Sequence, residues 1–340
     1  MAHAVVLGAT GHIGAHIVRA LLAEGHDVRA AYRNDRYLFV LDGLPIQRVR
    51  VDFDTPDGLR DALDGCDWVF HAAGYYPNFA ERRERAIAQG VEATRRVLAQ
   101  IRLAAPRRVV FTSSAATIRR RDDRLSTEQD AEPCLPAAPH GVAAQAGPPT
   151  GQPLYTTVKI AMEQEALRAS AEGLPVVIVN PSVCLGEYDA HAFSGRAILV
   201  FAKHRLPFYL AQHLNVVYTG DVGVGHVRAA ERGRLGERYL LTCRNIEVKA
   251  FAELVARAAG VPPPRWRLPY RVAWAAAIAS EGLARVTRRP PLLPRQAVNT
   301  ARRGQRLDGS KALRELSLPQ TPIEEAVSRA LAWFKQYHYL

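Results

Sequence analysis

Through the first half of the chain, short apolar runs alternate with helix-length stretches whose apolar residues recur every three or four positions. The runs are His3–Leu7, Asp27–Tyr32, Ile46–Val51, Trp68–His71, Arg108–Thr112 and Val176–Asn180, and the clearest helical stretches between them are Ile13–Ala23, Gly90–Ala104 and Thr156–Ala171. Parallel strands need such crossovers, so the pattern predicts an α/β fold with a Rossmann-type doubly wound parallel sheet. From Arg119 to Pro153 the periodicity stops, and Pro133, Pro136, Pro139, Pro148, Pro149 and Pro153 mark a long loop of the kind that shapes a site or stays disordered. Helices return from about residue 244, at Phe251–Ala259, Tyr270–Val286 and Thr321–Gln336. The last opens on Thr321-Pro322 with Glu324 three residues after the threonine, the spacing of a capping box. Strand alternation is not visible in this part. The expected organisation is a dinucleotide-binding domain over residues 1–182, joined again by 214–243, and a smaller, mostly helical substrate cap over 183–213 and 244–340.

The first strand runs directly into Gly8-Ala9-Thr10-Gly11-His12-Ile13-Gly14 and then a helix. Glycines at this turn allow a tight bend and close backbone approach, and a helix N-terminus offers free N–H groups to a pyrophosphate. Gly8, Thr10, Gly11, His12, Ile13 and Gly14 are therefore expected to cradle a dinucleotide, against the plainer reading of a simple tight turn. The residue that selects the dinucleotide should close the second strand. There Arg33 stands where NAD-preferring enzymes tend to carry a carboxylate, with Asp35 two residues beyond. A guanidinium can fork onto a 2′-phosphate, so NADP is the expected cofactor, with NAD as the alternative. Asp52 and Phe53 follow the third strand, where Asp52 could accept from the adenine amino group or cap a turn. Ala72, Ala73 and Gly74 close the fourth strand with small residues that leave room for a cofactor or simply pack.

Tyr155-Thr156-Thr157-Val158-Lys159 places a phenol and an ammonium four apart, on one face of a helix. A phenol of ordinary pKa about 10 is a poor proton donor at neutral pH unless a cation lowers it. Lys159 is the first lysine of a chain that carries forty arginines and five lysines, so a compact, tunable ammonium is used here in preference to the usual arginine. Thr112-Ser113-Ser114 ends the fifth strand, beside the cofactor in a parallel sheet, and Ser114 is the candidate to bond the reacting oxygen. Catalytic candidates are thus Ser114, Tyr155 and Lys159, with Thr112 at the cofactor.

The net charge of +12 is spread along the chain without an aromatic-interleaved basic stripe, which disfavours nucleic acid. The four cysteines, Cys66, Cys134, Cys184 and Cys243, form no CxxC pair, and His191, His204, His213 and His226 show no ligand spacing. No metal is expected, and a reducing, cytoplasmic location fits. The apolar run Val272–Ala279 is shorter than the roughly 18 residues a spanning helix needs. Tyr270–Val286 could instead rest on a membrane surface or pack against the cap. Phe201, Phe208, Tyr209, Trp266 and Trp274 could line a flat, apolar substrate site or belong to the core.

Taken in order, the glycine loop, Asp52, His71-Ala72-Ala73-Gly74, Phe111-Thr112-Ser113-Ser114, Tyr155-x-x-x-Lys159 and Asn180-Pro181-Ser182 resemble the extended short-chain dehydrogenase/reductases across nearly the whole chain. Val28-Arg29-Ala30 with Arg33, and Phe111 to Ala115, look like the dihydroflavonol reductase branch. Asp221 to His226, Gly233 to Tyr239 and the ending Ala332-Trp333-Phe334 to Tyr339-Leu340 resemble the hopanoid-associated sugar epimerase-like group. The resemblance implies Tyr155 as general acid–base, Lys159 holding the nicotinamide ribose and Ser114 polarising the substrate oxygen. It places Asn180, Pro181 and Ser182 at the nicotinamide and the substrate entrance, and it implies a homodimer. The implied activity is hydride transfer between NADP and a ketone or alcohol, with a nucleotide-sugar epimerase or dehydratase as the alternative. Three departures stand out: Gly90 where relatives often carry asparagine, Ile118-Arg119 where nucleotide-sugar enzymes often carry Tyr-Gly, and a step of 41 positions from Ser114 to Tyr155.

Overall fold

The computed structural model describes the chain except residues 54, 78–80, 133–151, 205–206, 288–290, 292–294, 296–297 and 300–303. Seven parallel strands form the central sheet in the order β10-β6-β5-β4-β1-β2-β3. These are β1 (His3–Leu7), β2 (Asp27–Tyr32), β3 (Gln47–Arg50), β4 (Trp68–His71), β5 (Arg108–Thr112), β6 (Val176–Pro181) and β10 (Arg238–Leu241). The strands are legible as near-continuous apolar runs because both faces are covered, so successive side chains enter different cores. Ala4 and Val6 of β1 join the core under α1 (His12–Ala23) and α6 (Thr219–Arg232), whereas Val5 and Leu7 join the core under α2 (Pro56–Leu63), α3 (Arg83–Ala104) and α4 (Leu154–Ala171). Each fully buried Val or Leu in these layers contributes about 1.5–3 kcal/mol. β1 has β2 on one side and β4 on the other. The strand order therefore reverses there, and the carboxyl ends of β1 and β4 open the crevice in which such sheets bind ligands.

The C-terminal part is less purely helical than its periodicity suggests. β11 (Arg244–Glu247) runs antiparallel to β9 (His213–Tyr218), which also pairs with β7 (Val183–Leu185). β8 (Phe208–Tyr209) pairs with β12 (Trp266–Arg267). β11 escapes the pattern because its one buried side chain is Ile246, too little for an alternation signal. The remaining helices are α5 (Arg196–Ala202), α7 (Val248–Ala259), α8 (Tyr270–Thr287), Ser310–Leu316 and Ile323–Gln336. The expected capping box at Thr321 does not form. Thr321 gives its N–H and its hydroxyl to Asp221 at 2.7 and 2.8 Å, so a carboxylate 100 residues away wins the threonine and the helix starts at Ile323. Of the loop expected from Arg119 to Pro153, residues 133–151 lie outside the described part, Cys134 among them. Up to Glu132 it is tied back by a bridge from Ile118 to Ala131 and a short helical turn, Glu128–Asp130. Cys66 and Cys184 are buried thiols, Cys243 is half-buried, and no helix of the described residues is long and apolar enough to cross a membrane.

Candidate active site

At the end of β1, Gly8 adopts φ +86°, and a Cβ there would come within 2.8 Å of the Ala73 nitrogen, so the loop and the end of β4 touch through backbone. At Gly14 a Cβ would strike the Gly8 carbonyl. α1 then begins at His12, and its N-cap residue, Gly11, has no side chain to cap it, which leaves its first N–H groups available to an anion. Thr10 is buried, and Gly11, His12 and Ile13 are partly open. The His12 imidazole is not turned to the loop's own cradle: Nε2 pairs with Thr219 Oγ1 at 2.9 Å and Nδ1 lies 3.8 Å from Asp189. Burial lowers its pKa, opposed by Asp189 and Glu187. What His12 can offer an anion is its backbone N–H. Arg33 is exposed just beyond β2 and makes no hydrogen bond or ion pair among the described residues, while Asp35 opens the next turn and sits 3.6 Å from Arg50. Asp52 is exposed two residues past β3, with Phe53 half-buried against the core beside it.

Tyr155 and Lys159 project from the first turns of α4, a helix buried on almost every face because it lies between the sheet and α3. Lys159 is 3% exposed, and its Nζ would be 2.8 Å from a Cβ at Gly74, so the bare glycine makes the room the ammonium occupies. Burial pushes Lys159 down to about 8, against the raising influence of Glu163. Burial raises the Tyr155 pKa, and the neighbouring Ser114 and Tyr76 hydroxyls oppose it by favouring the ionised form. Tyr76 stacks on Tyr155 with ring centroids 5.7 Å apart, and Lys159 Nζ is 5.2 Å from the Tyr76 centroid and 6.0 Å from that of Tyr155. Phe193 closes the aromatic group, 4.7 Å from Tyr76. Tyr76 and Phe193 remain largely exposed on their outer faces. The aromatic residues singled out in the cap lie elsewhere: Phe201 packs on Phe251, Phe208 on Trp266 and Trp274 on Tyr270.

Two expected cofactor residues use their side chains differently. Asn180 is fully buried, and its amide donates to Glu163 at 2.7 Å, Thr117 at 3.0 Å and the Ser114 carbonyl at 3.2 Å, so it holds the serine turn rather than facing an entrance. Thr112 meets His226 Nε2 at 2.9 Å. His226 Nδ1 faces the Val222 carbonyl at 2.7 Å and must carry the proton, so the Thr112 hydroxyl donates. Pro181 ends β6, and the buried Ser182 Oγ just beyond it has no partner among the described residues. Ala72 and Ala73 are partly open beside Gly8. The glycine cradle, the uncapped helix start and the unpartnered Ser182 hydroxyl fit a dinucleotide lying from β2 across β1 and β4 to β6.

Sequence reasoning missed Tyr76, Glu163 and the segment Gly186–Phe193. Glu163, one turn beyond Lys159, accepts from the Ser113 hydroxyl, from Thr117 at 2.9 Å and from Arg238 Nε at 2.6 Å, in addition to Asn180. It thereby gathers the ends of β5, β6 and β10 behind the site. Its only signal was the four-residue step from Lys159, which reads equally as a surface ion pair. Gly90 explains itself in the structure: a Cβ there would lie 2.9 Å from Val158 Cγ1, so α3 and α4 approach too closely for a larger side chain such as the asparagine the family resemblance led one to expect. The segment Gly186–Phe193 is fixed by Asp189, which accepts from the Phe193 and Gly195 N–H groups at 3.1 and 2.7 Å. It carries His191 to 4.1 Å from Tyr37, within electrostatic reach of Arg33, and Phe193 to Tyr76.

A family model described as NAD dependent epimerase/dehydratase family matches residues 4–241. A putative dihydroflavonol 4-reductase of Synechocystis is 33% identical over 98% of this chain and 95% of its own length. The sterol demethylase protein B of Methylococcus capsulatus is 32% identical, covering 98% of each. Among solved structures, PA4631 of Pseudomonas aeruginosa, named a nucleoside-diphosphate-sugar epimerase, superposes with a TM-score of 0.78 at 29% identity over 100% of this chain and 99% of its own. With the fold, the glycine loop and these relatives in agreement, the chain belongs to the NAD dependent epimerase/dehydratase family, among the extended short-chain dehydrogenase/reductases, and is an NAD(P)-dependent oxidoreductase.

Proposed function

We propose that the protein is an NADP-dependent carbonyl reductase, or alcohol dehydrogenase in the reverse sense, with Tyr155 as its general acid–base. The observation that carries this reading is the buried Lys159 ammonium, 6.0 Å from the Tyr155 ring centroid, with Tyr76 stacked on that ring and the Ser114 and Tyr76 hydroxyls favouring its ionised form. The bound nicotinamide would supply or accept the hydride. Tyr155 gives its phenolic proton to the carbonyl oxygen in reduction and takes it back in oxidation. Ser114 exchanges its bond to Tyr155 for one to that same oxygen, a contribution of about 10²–10³ in rate for a well-placed donor. Lys159, whose own pKa of about 8 leaves it mostly charged at neutral pH, stabilises the phenolate and would hold the ribose hydroxyls. Tyr76 keeps a donor on the phenolate after the proton has gone. Arg33, exposed and uncommitted at the end of β2, would take the 2′-phosphate, while Asp35 lies two residues further on, 3.6 Å from Arg50.

A second reading, epimerisation or dehydration of a nucleotide sugar, is favoured by the likeness to PA4631 and would use the same tyrosine and lysine. Nucleotide titrations with wild type and Arg33→Ala, followed by ketone reduction with Tyr155→Phe, test the proposal. The expected outcome is NADPH preferred over NADH, that preference reduced about tenfold or more in Arg33→Ala, and turnover lowered about 10²-fold or more in Tyr155→Phe. Equal loss of NADH and NADPH affinity in Arg33→Ala would remove the NADP assignment.

A further inference from the structure

Helix α8 packs inward through alanines and the half-buried Tyr270 and Trp274, yet leaves three branched apolar side chains outside. Its inward residues are Ala273, Ala277 and Ala284, and the first two pack against Leu210, Leu268 and Val298. Its outward residues include Val272, Ile278 and Leu283, exposed by 53, 50 and 60%, with Ala275, Ala276, Ala279 and Gly282 open between them. At about 100° per residue these positions fall on one arc of about 160°. The single charge on that arc is Arg271. The single acid of the helix, Glu281, lies outside the arc and is bound to Arg295 Nε at 2.6 Å. Leading into α8, the β8–β12 pair exposes Phe208 and Trp266, and Arg265 and Arg267 beside Trp266 are exposed too. A helix that covered nothing would gain nothing by turning Val272, Ile278 and Leu283 outward.

The charges choose between occupants. A second copy of a chain carrying +12 would set this patch, whose charges are Arg265, Arg267 and Arg271, against an identical and equally positive one. An anionic bilayer surface answers both features, accepting apolar side chains below the headgroups and guanidinium groups at the phosphates. We propose that the exposed face of α8 docks on an anionic lipid surface, with Val272, Ile278 and Leu283 seated at the acyl boundary and Arg265, Arg267 and Arg271 at the headgroups. The helix lies on the bilayer and does not cross it, in keeping with the absence of any membrane-spanning helix among the described residues. This inference does not depend on which reaction the active site performs.

Flotation of the full chain with phosphatidylcholine vesicles, with and without phosphatidylglycerol, tests it. The expected result is co-flotation with the anionic vesicles, release by high salt, and little binding to neutral ones. Ile278→Asp with Leu283→Asp should abolish co-flotation. Arg265→Ala with Arg271→Ala should weaken it about 25-fold, at about fivefold per arginine. All four positions are exposed, so thermal melting and nucleotide binding should stay at wild-type values; if the aspartate pair does not fold, the arginine pair carries the test alone. Failure to float with either composition, or equal flotation with both, overturns the proposal. So does a dimer in sedimentation velocity that Ile278→Asp with Leu283→Asp dissociates, because the face would then belong to a second copy.

Discussion

Replacing Glu163 with alanine probes the polar knot behind the active site. The carboxylate is 3% exposed and accepts from Ser113, Thr117, Asn180 and Arg238; Ser113, Thr117 and Asn180 are 5, 1 and 0% exposed, so water cannot take its place at those donors. Removing one partner of a buried ion pair costs about 3–5 kcal/mol. Arg238 retains 21% side-chain exposure and can recover some hydration, which argues for the lower end. Thr117 and Asn180 each keep a bond to the Ser114 carbonyl, whereas Ser113 loses its acceptor, at about 1 kcal/mol. The expected loss is roughly 4 kcal/mol, a large part of the 5–15 kcal/mol that stabilises a typical domain. Glu163→Gln preserves shape and one acceptor oxygen and should lose about 2 kcal/mol. Urea unfolding at neutral pH measures both. An alanine variant within about 1 kcal/mol of wild type, or a glutamine variant as unstable as the alanine one, would refute the reasoning.

Gly90→Asn should destabilise the protein by about 1–3 kcal/mol and lower turnover through displacement of α4, because the new Cβ would lie 2.9 Å from Val158 Cγ1; an unchanged melting temperature would contradict this. His71 and His226 are pushed down to about 4 by burial. Since their folded pKa values lie below the unfolded value of about 6.5, their contribution is complete above that pH and is lost as pH falls towards 4, at about 2 kcal/mol per histidine between pH 6.5 and 5. His226→Gln should remove one histidine's share of that slope in denaturant titrations at pH 7 and 5, and a slope equal to wild type's would show the imidazole to be protonated when folded.

The sheet was readable because parallel strands covered on both faces leave unbroken apolar runs, and all six expected strands agree with the structure to within one residue at each end, β3 being one residue shorter at both ends and β6 one residue longer. The catalytic candidates were readable because a phenol and an ammonium four apart on a helix share a face. Glu163 was not, since its four partners come from β5, the turn after it, β6 and β10, whose ends meet only when the sheet closes. Tyr76 was hidden for a related reason: Tyr75 and Tyr76 are adjacent in a loop, and only tertiary packing decides that Tyr76 reaches Tyr155 while Tyr75 bonds Glu81. Thr321 shows the reverse error, a local capping signal defeated by Asp221.

Deuterium tracing tests the central claim most directly. The purified protein is mixed with NADPH carrying deuterium at the transferable position and with a panel of apolar and aromatic ketones, and the alcohols are read by mass spectrometry, with Tyr155→Phe alongside. Deuterium in an alcohol product, lost in Tyr155→Phe, is the predicted result. Tightly held NAD with interconversion of a nucleotide sugar and no label leaving the nucleotide would contradict the reductase account.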